Sequence, residues 1–117
     1  MPTWPEGPAV LRTEHGDRLE LRIATAFRTR SRGLLGLDAP PPGALLLTPA
    51  SGIHTFGMRF PLDVAYLSRD LRVLAVHTVA PNRLGRPRLR ARHVLEAGAG
   101  TFAPLGLVRG VRVAVEL

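Results

Sequence analysis

The chain has 117 residues, of which 45% are hydrophobic and 21% charged, a size and mix that specify one folded domain and argue against disorder. Sixteen Arg and no Lys against nine acids give a net charge of +7, and the absence of cysteine removes disulfides, thiolate metal sites and cysteine nucleophiles. No apolar run approaches the roughly 20 residues of a transmembrane segment, and Met1 to Pro8 carry neither a basic residue nor the apolar stretch of a secretory signal, so the expected setting is cytoplasmic.

A Pro-rich lead over residues 1–9, holding Trp4, precedes a single globular domain over residues 10–117. Residues 10–14 and 18–24 read as two strands around the turn His15-Gly16-Asp17. The second strand alternates Leu19, Leu21 and Ile23 with Arg18, Glu20 and Arg22. Thr25 is placed to cap a short helix over 26–35. There Phe27, Ser31, Leu34 and Leu35 form one stripe toward the core, and Gly36 is placed to end it. Pro40-Pro41-Pro42 is a stiff connector that excludes helix and ladder pairing. Ala44 to Leu47 is wholly apolar and short, the pattern of a strand buried on both faces.

Ser51 to Phe60 reads as extended or looped, and Pro61 punctuates it. Leu62 to Leu67 and Leu71 to Val79 form a second hairpin around Ser68-Arg69-Asp70. A loop over 81–90 leads to a strand over 92–97. Gly98-Ala99-Gly100 breaks the chain before a turn or short helix at 102–108. Val111, Val113, Val115 and Leu117 alternate with Arg112, Ala114 and Glu116 in a last strand. About seven short strands with one or two short helices give a β-rich α+β fold, a mixed or mainly antiparallel sheet curled into a small barrel or sandwich.

The charge is not spread evenly. Residues 25–36 hold Arg28, Arg30 and Arg32 without an acid, and residues 83–92 hold Arg83, Arg86, Arg88, Arg90 and Arg92 without one. The rest of the chain is nearly neutral. Missing Lys beside abundant Ala, Gly and Pro is what a G- and C-rich coding sequence produces, so the clustering carries the information and the choice of Arg does not. If the second segment is extended, Arg86, Arg88, Arg90 and Arg92 share one side at period two. Such a row suits an anionic ligand or an acidic protein partner, or else is a solvated edge. No aromatic residue interrupts the run to stack on bases, which speaks against sequence-specific nucleic acid.

The segment from Ser51 through His54-Thr55-Phe56-Gly57-Met58-Arg59 to Asp63 and Tyr66 resembles the signature of a bacterial and archaeal family, domain of unknown function 192. Arg30-Ser31-Arg32-Gly33-Leu34-Leu35, Val94-Leu95-Glu96, and Gly110 with its following strand resemble further elements of that family in the same order. The resemblance covers residues 20–117 and implies a β-rich fold without an assigned activity.

Among side chains that carry chemistry, Asp63 opens a strand of apolar neighbours and is expected to be buried. It then needs donors from the 55–60 turn, from Arg59 or from Arg30, or else serves as a general base. His54 shares a side with Phe56 and Met58, and with Asp63 and Glu96 it would form an acid–base cluster if the fold joins the three. His54, His77, His93, Asp63 and Glu96 lack the local spacing of a zinc motif, so no metal is expected. Ser51-Gly52 lacks a nucleophile elbow, and no Gly-rich phosphate loop precedes a helix, so no cofactor is implied. Arg30, Arg59, Arg86, Arg88, Arg90 and Arg92 are the candidate ligand-binding residues. Together these features favour a non-catalytic binding domain with an Arg-rich edge. The alternative is an enzyme that uses His54 and Asp63 as an acid–base pair, supported by Glu96 or Arg59.

Overall fold

The computed structural model describes residues 4–117. Its strands are β1 (Gly7–Thr13), β2 (Arg18–Ala24), β3 (Ala44–Leu47), β4 (Leu62–Leu67), β5 (Val73–Val79), β6 (His93–Gly98) and β7 (Val113–Glu116). They form one sheet in the order β5-β4-β6-β3-β2-β1-β7. Only β2 and β3 run parallel; every other pair is antiparallel. The mainly antiparallel, curled sheet expected from the strand pattern is the architecture found.

The sheet curls into a half-barrel whose two outer strands meet at one end. Val73 donates its amide to Val111 O at 2.8 Å, Gly110 donates to Val73 O at 2.8 Å, and Val113 donates to Leu71 O at 3.0 Å. Among the described residues β5 pairs beyond Val73 with β4 alone, which leaves its outer side open.

The two-residue period decides which core each side chain joins. Leu21, Ile23, Leu46, Leu67 and Leu95 face the interior of the curl with Leu11, Phe102, Leu107 and Val113. Leu45, Leu47, Val64, Tyr66 and Val94 face the other side, where Ile53, Met58, Phe60 and Leu34 cover them. All four residues of β3 are therefore buried, as are all six of β4 and of β6. Burying apolar surface on both sides of three central strands, at roughly 25 cal/mol per Å², is the main source of stability. Trp4 also joins this fold: it packs on the inner core, with its ring 5.2 Å from that of His93.

The helix departs from the sequence reading. It is short, α1 (Phe27–Arg32), none of its residues is buried, and Phe27 is exposed. Leu34 does reach the core, but from the turns that follow the helix. Ala26, not Thr25, stands at the N-cap and makes no side-chain cap. The exposed amides are met from outside the helix by Glu6, whose Oε1 accepts Thr25 N, Ala26 N and Thr29 Oγ1, each at 2.8 Å. These bonds, that from the Ala26 amide foremost, hold the Glu6 carboxyl down at about 2. The helix stops at Gly33, whose φ of 51° and ψ of −127° are open to glycine alone. No helix among the described residues is long and apolar enough to cross a membrane.

Candidate functional site

Two concave regions with no lining residue in common divide the residues that the sequence singles out. Register explains the division. Asp63 stands opposite Ala97 across the β4–β6 pair, and Val64 stands opposite Glu96. Neighbours along a strand point to opposite faces, so Asp63 faces the interior of the curl and Glu96 faces the outer core.

Asp63 is buried and fully engaged. Its Oδ1 accepts Thr78 Oγ1 at 2.8 Å, and its Oδ2 accepts the amides of Gly100 and Phe102 at 3.0 and 3.1 Å. The donors are thus not the 55–60 turn, Arg59 or Arg30. The carboxylate ties β4 to β5 and fixes the turn after β6. His54 lies on the other side of the sheet, exposed, with its ring stacked on Phe56 at 5.3 Å. The His54–Asp63 pair is not assembled.

His54 and Glu96 do share a cavity, of about 210 Å³, with Arg30, Arg32, Gly33, Phe56 and Met58. Glu96 is 2% exposed, and its Oε1 is buried without a hydrogen-bond partner. Burial pushes its carboxyl up to about 7. Gly33 makes room for it, since a Cβ there would lie 2.9 Å from Glu96 Oε1. In the sequence Gly33 weakens a helix and falls in a family-like element; its place against Glu96 appears only when α1 is laid beside β6.

The second region is a groove of about 700 Å³ along the open side of β5. Leu74 to Thr78 line it with Arg88, Phe102, Leu107, Val108 and Arg109. It continues into a hollow of about 540 Å³ bordered by Arg72, Arg88, Arg90 and Arg109. Arg72 and Arg109 carry no sequence signal, because each lies in a segment of balanced charge. Closure of the half-barrel joins them: Arg72 Nη1 donates to Gly110 O at 2.7 Å.

The 83–92 segment is a loop stitched to residues 51–55, not a free strand. Thr55 N donates to Arg83 O, Gly85 N to Ile53 O, and Arg88 N to Ser51 O, at 2.8, 2.9 and 2.8 Å. Its Arg row is broken. Arg86 and Arg90 are exposed, whereas Arg88 folds over the Tyr66 ring at 5.3 Å, with Nη2 2.8 Å from His77 Nε2. Arg92 is half-buried, and its backbone bonds to Leu67 and Ala50. Arg59 is paired with Asp38 on the surface. Arg30 spends its guanidinium on Thr25 O and Pro49 O at 3.1 and 2.9 Å.

The three histidines weighed as ligands lie apart. His77 contacts Arg88. His93 is buried, with Nδ1 2.7 Å from Thr48 Oγ1, and burial lowers its pKa. Among the described residues no three His, Asp or Glu side chains gather where a metal ion would sit.

Residues 10–115 match the model of domain of unknown function 192, described as an uncharacterised ACR. The UPF0127 protein PH1112 of Pyrococcus horikoshii is 34% identical over 86 residues, which span 69% of this chain and 74% of that protein. Two solved structures share the fold. A protein of unknown function from Novosphingobium aromaticivorans superposes with a TM-score of 0.77 at 20% identity, covering 92% of this chain and 83% of its own. A candidate transcription regulator from Sinorhizobium meliloti gives 0.78 at 21%, covering 98% and 97%.

Proposed function

The chain belongs to the family of domain of unknown function 192, and we propose that it is a non-catalytic binding domain that engages an acidic protein segment. The segment would lie along β5, in the groove bordered by Arg72, Arg88, Arg90 and Arg109. One observation carries this reading: four guanidinium groups drawn from three separate stretches of sequence border a single hollow beside an unpaired strand edge.

The chemistry favours an extended peptide. The open side of β5 offers backbone donors and acceptors to a further strand. Leu74, Val76 and Val108 supply apolar contact, and the Arg side chains supply complementary charge. The one acid lining the groove is Asp63, whose oxygens are already occupied. Phe102, the aromatic residue there, is 1% exposed and presents no face for stacking a base, which weighs against nucleic acid.

A fluorescent Glu-rich peptide titrated against the protein at rising NaCl tests this. Affinity should fall steeply with salt as screening weakens the Arg contacts. Binding indifferent to salt would rule the reading out. The setting in which it would meet such a segment is the cytoplasm.

A further inference from the structure

We propose that the cavity over Glu96 is a second binding site, for a small dipolar molecule. Its ammonium end would lie on Glu96 and its carboxylate or phosphate end at Arg32. This site shares no lining residue with the β5 groove and does not depend on the function proposed for it.

Three observations carry the assignment. Glu96 lines a cavity of about 210 Å³ yet is 2% exposed, which puts it at the inner end. Its buried Oε1 has no hydrogen-bond donor, and a buried carboxyl oxygen left bare is costly unless something arrives to meet it. The space beside that oxygen exists because residue 33 is glycine.

The surroundings then select the ligand. Leu47, Ile53 and Met58 give the inner wall an apolar lining. The polar side chains around the mouth include Arg30, Arg32 and His54. Arg30 is committed to two backbone carbonyls, which leaves Arg32, exposed, to meet an anion. An acid inside and a cation outside is the complement of a molecule with its positive end leading. The volume equals that of about seven water molecules, which suits a compound of amino-acid size.

The test uses 4-aminobutanoate, butylammonium and butanoate, each titrated into the intact protein at mildly alkaline pH. The amide NMR signals of Gly33, Met58 and Ala97 are followed. 4-Aminobutanoate should shift these signals saturably and bind at least about tenfold more tightly than butanoate, since a charge-assisted bond is at stake. Glu96→Gln should remove that preference. Arg32→Ser, an exposed substitution that leaves the fold alone, should weaken 4-aminobutanoate while leaving butylammonium unchanged. The site is refuted if no probe shifts these signals, if butanoate binds as well as 4-aminobutanoate, or if Arg32→Ser affects neither or both equally.

Discussion

Asp63 and Glu96 lie one register position apart on paired strands and point to opposite faces of the sheet. One is saturated by Thr78, Gly100 and Phe102; the other has a buried oxygen without a hydrogen-bond partner among the described residues. The two carboxyls therefore do different work. Asp63 holds the fold together, and Glu96 is held by the fold at a cost.

For Asp63 the consequence is a loss of stability on truncation. Asp63→Ala strands the buried amide of Phe102 and loosens the part-buried amide of Gly100 and hydroxyl of Thr78, which should cost about 2–4 kcal/mol. Urea unfolding monitored by circular dichroism measures this. A cost below about 1 kcal/mol would mean that the carboxylate is not the anchor of the 98–102 turn.

Glu96 should show its cost through pH. Its folded pKa of about 7 lies above the ordinary 4.5, so the folded state holds the proton more tightly than the unfolded state. This favourable contribution is complete below pH 4.5 and is lost as pH rises toward about 7, by up to about 3 kcal/mol. His93, held neutral by burial, slopes the other way below its ordinary 6.5, so the comparison must be between wild type and Glu96→Gln. The variant should gain relative stability between pH 4.5 and 8. Parallel melting-temperature curves for the two proteins would contradict this.

Glu6 has the opposite sign. Its folded pKa of about 2 lies below the ordinary 4.5. Its contribution is present above pH 4.5 and disappears as pH falls through about 2. Glu6→Ala should therefore melt lower than wild type at pH 7 and together with it near pH 2. Hydrogen exchange at Ala26 should also be faster in the variant at neutral pH.

Gly43 tests the one parallel crossover. Its φ is 77°, and a Cβ there would lie 2.3 Å from Glu20 O, a backbone atom that cannot step aside. Gly43→Ala should cost about 2–4 kcal/mol, combining a left-handed backbone with a clash. Denaturant unfolding gives the figure. A neutral result would mean that β2 and β3 do not approach as closely as described.

The strands were legible in the sequence because their apolar positions repeat every second residue. Ala44 to Leu47 declared itself buried by having no polar member. The helix was less legible: its cap comes from Glu6, twenty residues before Ala26, and no local pattern exposes a partner at that distance. The same limit applies to the sites. Arg86, Arg88, Arg90 and Arg92 look like a row in sequence, but the loop turns Arg88 onto Tyr66 and half-buries Arg92. Arg72 and Arg109, silent in sequence, join Arg88 and Arg90 because the two ends of the sheet meet. Residue type singles out His54 and Glu96 together with Asp63, yet the register of β4 against β6 separates Asp63 from them.

The most direct test of the proposed function compares two triple variants that remove equal charge. One is Arg88→Ser, Arg90→Ser and Arg109→Ser, at the groove; the other is Arg22→Ser, Arg28→Ser and Arg69→Ser, away from it. Anisotropy titrations with the Glu-rich peptide at two salt concentrations should show a loss of at least about tenfold in affinity and a flattened salt dependence for the groove variant. The control should stay close to wild type. Equal losses in the two variants would show that net charge and not the β5 groove holds the peptide, and would contradict the account.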